Sequence, residues 1–148
     1  MKTKSKSFNN LFYSKFLGVL LKKGKKTKAK KILDTVLLKV SKSTKLSIHL
    51  VLYRVFFNLN TFVEVRRVRV KRRSFLVPFN VSFSRRISLM LKWILLTVRN
   101  DSRRTSTINK LSIEIFKIVK NLPCNSIKLK KLNDSQAFSN KANIHFRW

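Results

Sequence analysis

The sequence predicts a mainly α-helical fold, a six-helix bundle with a protruding two-stranded β-hairpin arm. Six segments place apolar residues at spacings of three and four, which is the period of an amphipathic helix. One further segment, 75–83, alternates apolar residues strictly, which is typical of a β-strand. The length of 148 residues fits one domain, and an apolar fraction of 44% is enough for a core.

The first three helices are expected at 11–23, 27–43 and 46–59. Gly24 follows two lysines, which is a helix-end signal because Gly readily adopts positive φ and cations suit the last carbonyls. The apolar stripes include Leu11, Phe12, Phe16, Val19 and Leu20 in the first helix, and Ala29, Ile32, Leu33, Val36, Leu37 and Val40 in the second. The third helix is apolar nearly all round, so we expect it to be central.

The arm is expected as two strands at about 62–70 and 74–82. The valines of its first strand switch from one face of the strand to the other at Arg66–Arg67, which predicts a β-bulge or a bend there. The tip, 71–73, has no Gly, Asn or Asp, so a tight primed turn is disfavoured. Pro78 indicates an edge strand. A lone ribbon is only marginally stable, so we expect this arm to be ordered mainly by what it binds.

The C-terminal half predicts three more helices, at 85–100, 105–120 and 127–143. Ser84 is the expected N-cap of the first of them. A break at 121–125, which contains Pro123, separates the other two. Residues 1–12 are expected to form a basic flexible tail, and residues 13–148 a single helical domain that carries the arm at about 62–82.

The charge of the chain is strongly unbalanced. Thirty-five residues are Lys or Arg and five are Asp or Glu, so the formal net charge is +30. Residues 22–31 read KKGKKTKAKK, with seven lysines in ten positions, and residues 66–73 read RRVRVKRR, with six cations in eight. Cations this dense repel one another, so a polyanion is expected beside them.

A basic run is ordinarily a solvated face with charges of both signs, but here the counter-charges are missing. Nucleic acid is therefore the expected partner, and scattered basic patches on many helices favour structured RNA over DNA. A cationic membrane-surface protein is the alternative, although such proteins usually carry one helix with its cations on one face. A membrane span is not expected, because the most apolar stretches, 46–59 and 87–98, are short and contain a cation.

The same composition argues against an enzyme. The five acids lie at least 13 residues apart in sequence, so paired carboxylates and carboxylate sites for Ca²⁺ or Mg²⁺ are not expected. Cys124 is the only cysteine, which excludes a Cys-based zinc site and an intrachain disulfide. We interpret His49 as a core or boundary residue and His145 as a contact residue. No catalytic residue, metal or cofactor is therefore expected.

Three segments follow the order and spacing of a known family. The first is KFLGVLLKKGKKTKAKKIL at 15–33, and the second is FVEVRRVRVKRRSFLVPFNV at 62–81 with SRRISLMLKWIL at 84–95. The third is NKANIHFRW at 140–148. Together they resemble small-subunit ribosomal protein S seven of the bacterial and organellar type: its first two helices, its hairpin with the following helix, and its ending. The resemblance covers about residues 13–148.

This resemblance implies a structural constituent of the small ribosomal subunit that acts in translation. Such a protein binds small-subunit rRNA directly and organises the 3′ major domain, the head, near the exit-site tRNA and the mRNA exit channel. The implied partners are this rRNA and neighbouring head and platform ribosomal proteins, with no membrane and no homo-oligomer. A non-ribosomal nucleic-acid-binding protein is the other alternative.

The residues expected at these contacts belong to the basic runs, the helix starts and the C-terminus. Contacts to rRNA are expected at fifteen cations: Lys22, Lys23, Lys25, Lys26, Lys28, Arg66, Arg67, Arg69, Lys71, Arg72, Arg73, Arg85, Arg86, Arg103 and Arg104. The vicinity of the exit-site tRNA and the mRNA exit is expected to include Lys71, Arg72, Arg73, His145, Phe146, Arg147 and Trp148. At the hairpin tip, Lys71 and Arg72 replace the family's Gly-Gly.

The residue usage points to an AT-rich genome, because Lys, Asn, Ile and Phe greatly outnumber Gly, Ala, Pro and Arg. Organellar genomes often have this bias. We therefore expect the mitochondrial matrix, in the mitochondrial ribosome, with a plastid or a bacterial cytoplasm as the alternatives. No long presequence precedes the first predicted helix, which favours a gene encoded in the organelle.

Overall fold

The computed structural model describes the backbone of residues 2–147 and the side chains of residues 9–147, which form helices and one hairpin. In chain order the elements are α1 (Lys2–Leu20), α2 (Lys26–Thr44), α3 (Ile48–Leu59), β1 (Val63–Val70), β2 (Arg73–Asn80), α4 (Phe83–Asn100), α5 (Thr107–Val119), α6 (Asn125–Ser139) and a 3₁₀ helix (Lys141–Phe146). The predicted helical bundle with a β-hairpin arm is confirmed.

The hydrophobic core forms where the apolar stripes of α1, α2, α4 and α5 face one another. The stripe of α4 is completely buried at Ile87, Met90, Leu91 and Ile94. The rings of Phe12 and Phe16 from α1 meet edge to face, with centroids 6.3 Å apart, a favourable aromatic geometry. The predicted stripes of α2, α4 and α5 are largely confirmed, whereas Leu11 of α1 is 38% exposed.

Two helix starts differ from their predicted positions. The backbone is helical from Lys2, within the expected tail, because residues 2–10 contain neither Gly nor Pro and Lys is a good helix former. The N-cap position of α4 is Ser82 and not Ser84: Ser82 is extended at φ −63° and ψ 154°, and its carbonyl accepts the N–H of Arg86. Ser84 lies inside the helix, where its carbonyl and hydroxyl accept hydrogen bonds from Lys15.

α3 packs against every other α-helix of the bundle, as predicted for a central helix, but one of its faces is open to solvent. One face is buried through Val51, Leu52, Val55 and Leu59. The opposite face exposes Leu50 at 50%, Tyr53 at 54% and Phe57 at 69%, and His49 is exposed as well. α3 is therefore central by its contacts, although its apolar surface is wider than the part that the other helices cover.

The two strands of the arm pair without interruption, so the predicted bulge is wrong. Every β1 residue has one partner, from Val63 opposite Asn80 to Val70 opposite Arg73. The valines switch from one face of β1 to the other without an extra residue, because both faces of the arm are partly exposed and tolerate a charged side chain.

The tip is a tight two-residue turn, which the sequence disfavoured. Lys71 and Arg72 link the paired residues Val70 and Arg73, and Lys71 takes the positive φ of 53° that such turns need. A left-handed conformation costs a residue with a side chain about 1–2 kcal/mol. The twist of the paired strands outweighs that cost here.

The end of the chain also differs in its details. α6 ends at Ser139, where a single helix was expected to reach 143, and the 3₁₀ helix follows after Asn140. The predicted break before α6 is confirmed, with Asn121 at φ 55°. The 3₁₀ helix packs along β2 and brings the C-terminal residues to the arm.

Candidate nucleic-acid interface

The first basic run occupies the turn between α1 and α2 and the first turns of α2. All seven of its lysines are exposed, while Ala29 among them is buried. Lys23 and Gly24 reverse the chain with φ angles of 50° and 71°. The first turn of α2 contains no acid, and its N-cap residue Lys25 makes no side-chain capping bond. The free N–H groups, the helix dipole and the lysines all favour an anion such as a phosphate here.

The acid next along the chain, Asp34, does not neutralise this cluster. Its Oδ1 accepts a hydrogen bond of 2.6 Å from the Tyr13 hydroxyl. Burial, together with this carboxylate, raises the pKa of Tyr13 to about 12. Tyr13 therefore stays protonated at neutral pH. Among the described residues, no ion pair links an acid to the lysines of 22–31.

The outer half of the arm presents a second group of free cations. The uninterrupted register puts Arg67 and Arg69 on one face of the ribbon and Arg66 on the other. Arg67, Arg69 and the tip residues 71–73 are exposed, and within the described part of the chain none of them forms an ion pair. These side chains therefore extend from both the face and the tip of the arm.

One of the expected rRNA contacts, Arg85, instead holds the arm to α4, and a second, Arg66, binds the same carboxylate from within β1. The guanidinium of Arg85 donates to both oxygens of Glu64, at 2.7 and 3.1 Å, and Arg66 donates to one of them at 3.2 Å. The bond from Arg85 is the main reason that the pKa of Glu64 lies below its ordinary value. Both arginine side chains remain about half exposed, so each keeps surface for a further ligand.

Two other predicted cations also have partners within the chain. Arg86 donates from Nε to the carbonyl of Val81 at 3.0 Å, and its guanidinium carbon lies 4.2 Å from the ring centroid of Phe62. The guanidinium of Arg103 donates to both carboxylate oxygens of Asp101, and the backbone N–H of Arg103 donates to one of them. These bonds lower the pKa of Asp101 to about 2. Four of the fifteen predicted cations are thus engaged within the chain.

The predicted cations form two regions at opposite ends of α4. At its start, Arg85 joins α4 to the arm through Glu64. At its end, Arg99 lines a small groove with Lys22 of the first basic run and Thr107 of α5, and the loop with Arg103 and Arg104 follows. Arg99 follows Arg85 by fourteen positions, which is about 21 Å along the helix axis. The rigid core therefore separates the two basic regions by a fixed distance.

The C-terminal residues expected near the mRNA exit pack against the arm and form hydrogen bonds with it. The ring of Phe146 stacks on Phe75 with centroids 4.7 Å apart. Arg147 Nε donates to the carbonyl of Pro78 at 2.7 Å, and Asn143 Nδ2 donates to that of Leu76 at 3.0 Å. Both carbonyls belong to β2. His145 is exposed and packs against Phe146, and Trp148 lies outside the described residues.

The sequence analysis missed a set of exposed aromatic side chains near these regions. Phe62 is 61% exposed at the base of the arm, and Phe138 of α6 is 79% exposed. The only sequence signal for Phe138 was its isolation in the polar stretch SQAFSN. Both rings line one cleft, and exposed rings that lie together make a candidate contact surface because they leave a large apolar area in water.

The acids, histidines and cysteine do not assemble a reactive centre in the described part of the chain. No three of these side chains come together there in a way that could hold a metal ion. Cys124 is buried, and desolvation is the main cause that raises the pKa of its thiol, which disfavours the reactive thiolate. The described helices include none long and apolar enough to cross a membrane.

Comparison with known proteins agrees with this picture. The sequence model of the family described as ribosomal protein S7p/S5e matches residues 1–141. The chain belongs to the ribosomal protein S7p/S5e family. Small ribosomal subunit protein uS7 of Petrotoga mobilis is 31% identical over 141 residues, 95% of this chain and 90% of the relative. The protein of the same name from Kosmotoga olearia is 32% identical over 143 residues, with the same coverage of both chains.

Membership in the S7p/S5e family confirms the resemblance and gives the chain a structural, non-enzymatic role in the small ribosomal subunit. The relatives include mitochondrial as well as bacterial proteins. Small ribosomal subunit protein uS7m of Reclinomonas americana is 29% identical over 141 residues, 95% of this chain and 87% of that one. Both kinds of ribosome therefore contain proteins similar to this chain.

Proposed function

We propose that this chain binds small-subunit rRNA directly and organises the 3′ major domain, the head, near the exit-site tRNA and the mRNA exit channel. The observation that carries the proposal is the pair of uncompensated basic regions at opposite ends of α4. One consists of the α1–α2 turn with the α4–α5 loop, and the other is the arm. A solvated surface would mix charges of both signs in similar numbers, whereas the ion pairs of these two regions among the described residues involve only Glu64 and Asp101.

The mechanism is phosphate neutralisation at two places held apart by a rigid core. Each phosphate that a Lys or Arg contacts releases condensed counterions, which drives binding without reading the base sequence. Because buried α4 residues such as Ile94 fix the spacing of the two regions, both are satisfied only when two rRNA segments lie at the matching separation. The protein thereby favours one arrangement of those segments.

The arm and the C-terminus act as one unit in this proposal. The tip residues 71–73 point toward the exit-site tRNA, and residues 145–147 toward the mRNA exit. The bonds from Asn143 and Arg147 to β2 support this, because they tie the C-terminal segment to the strand that leads from the tip. Neighbouring head and platform proteins cover other parts of the chain, and the exposed face of α3 is available to them.

The mitochondrial ribosome is the proposed location, on the basis of the residue usage and the mitochondrial relative. Density-gradient fractionation of mitochondria, with this chain detected by mass spectrometry, tests it. We expect the chain to sediment with mitochondrial small-subunit rRNA and to remain there at moderate salt. Sedimentation with plastid or bacterial ribosomes, or with membranes, would refute the location.

Replacing Arg67, Arg69 and Arg72 together with Ala should weaken binding to small-subunit rRNA by on the order of 10- to 100-fold at moderate salt. The log–log salt slope should become shallower by about 2 to 3, because about one ion is released per phosphate contact. Filter binding over a salt series measures both. Arg66 is left intact, because its bond to Glu64 makes it part of the arm's attachment.

A matched control removes the same charge elsewhere. Lys42, Lys120 and Lys131 are exposed and lie outside the predicted interface, so their triple Ala variant should bind with nearly the wild-type slope. Equal losses in the two triple variants would show that only net charge matters and that the arm is not a specific contact. Far-ultraviolet circular dichroism should show the same helix content in both.

A further inference from the structure

A cleft at the base of the arm is not explained by phosphate binding. It has a cavity volume of about 670 Å³ and lies between the roots of β1 and β2, α6 and the 3₁₀ helix. This volume is in the range of small-molecule sites, which is about 300–1,000 Å³. Its lining combines aromatic, cationic and amide side chains, a mixture that differs from the all-lysine surface of the α1–α2 turn.

Two aromatic rings form the apolar part of the cleft. Phe62 is 61% exposed, and Phe138, on the facing helix, is 79% exposed. The guanidinium of Arg86 lies over the ring of Phe62, so that ring already forms part of a cation–π stack. A flat aromatic ligand can continue such a stack, because guanidinium, ring and ligand all stack through their faces.

The polar part of the cleft supplies charge and one unused acceptor. Lys130 and Arg147 each donate to a backbone carbonyl, whereas Lys141 is exposed and forms no ion pair with a described residue. The lining's acid, Asp134, already accepts the hydroxyl of Thr61 at 2.9 Å. Asn60 Oδ1 is buried without a hydrogen-bond donor among the described residues. A buried acceptor of this kind favours a ligand that brings an N–H group.

We propose that this cleft binds a single unpaired nucleotide of an RNA strand. The base stacks against Phe138 and Phe62, its phosphate lies beside Lys141, and an N–H on its edge donates to Asn60 Oδ1 once the buried amide turns toward the cleft. A duplex cannot fill the cleft, since its bases are already stacked on one another, so the ligand is an unstacked base in a single-stranded segment. This inference rests on the proposed function and adds a second mode of contact, stacking, to phosphate neutralisation.

The test uses the full chain and a ten-nucleotide single-stranded RNA with 2-aminopurine, a fluorescent base, at its centre. We expect stacking to quench the fluorescence when the wild-type chain binds. Replacing the central base by an abasic site should weaken binding by about tenfold, as should Phe138→Ala with the intact strand. Leu132→Ala is the matched control, because Leu132 is 57% exposed on the same helix but does not line the cleft.

Binding to small-subunit rRNA, measured in parallel, separates this inference from the proposed function. A wild-type chain that binds the rRNA tightly but binds the base-containing and abasic strands equally would overturn the nucleotide site alone, and a neighbouring protein would then be the occupant of the cleft. Equal effects of Phe138→Ala and Leu132→Ala would overturn it as well. A chain that binds neither RNA would overturn both proposals.

Discussion

Raising the salt concentration from about 50 to about 200 mM should weaken the binding of this chain to small-subunit rRNA by about 10⁴- to 10⁵-fold. Four of the fifteen predicted cations, Arg66, Arg85, Arg86 and Arg103, have partners within the chain, and the other eleven have none among the described residues. If these contact about ten phosphates, the log–log slope of affinity against salt should lie at about −7 to −9. Filter binding at five or more salt concentrations measures the slope.

A sodium chloride series and a matched sucrose series separate ion release from a general effect of solutes. Sucrose should leave the affinity nearly unchanged, because it displaces no counterions. A slope near zero in salt would refute the electrostatic mechanism. A slope of about −3 or shallower would show that only one of the two basic regions contacts rRNA.

Replacing Ile94 with Ala should lower the free energy of unfolding by about 2–5 kcal/mol. Ile94 is completely buried in the centre of α4, where its side chain packs in the main core cluster. The loss combines the lost transfer free energy of the removed carbons with the cavity that they leave. Because the net charge of +30 already opposes the compact state, this loss is a large part of the total stability.

Urea unfolding followed by circular dichroism measures this free energy, in a sulfate buffer that screens the charge and favours burial. Leu96→Ala is the control on the same helix: Leu96 is 42% exposed, so its variant should lose less than about 1 kcal/mol. Equal losses at the two positions would contradict the assignment of α4 as the centre of the core.

The helices were predictable because their signal is local. A stripe at spacings of three and four is a property of consecutive residues, and α2, α4 and α5 bury the predicted residues. The helix ends were less predictable, as α1 and α4 show. Ser82 and Ser84 are both chemically suited to cap a helix, and only the packed structure selects between them.

The arm shows where local pattern is not enough. The change of valine phase at Arg66–Arg67 indicates a bulge only where one face of the ribbon must be buried. Here both faces meet solvent or the C-terminal segment, so the strands pair without a break. The tight tip likewise follows from the pairing of Val70 with Arg73, which outweighs the preference of Lys71 for negative φ.

The sequence predicted that the candidate site is rich in cations, but it did not predict how those cations are arranged. The surplus of cations and their two runs can be counted along the chain. Which of them are free depends on contacts between distant positions, such as Arg85 with Glu64, 21 residues apart. The exposed aromatic pair at the cleft has no periodic signal, because Phe62 and Phe138 come from separate elements that meet only in the folded chain.

The sequence by itself determined the fold class, the family and the large surplus of cations, because spacing, motifs and net charge do not depend on how the chain packs. The tertiary structure decided the distance between the two basic regions and the packing of the C-terminal segment against the arm. It also decided the presence of the cleft. Each of these joins residues far apart in sequence, such as Asn143 and Leu76, whose contact forms only when the core has brought their elements together.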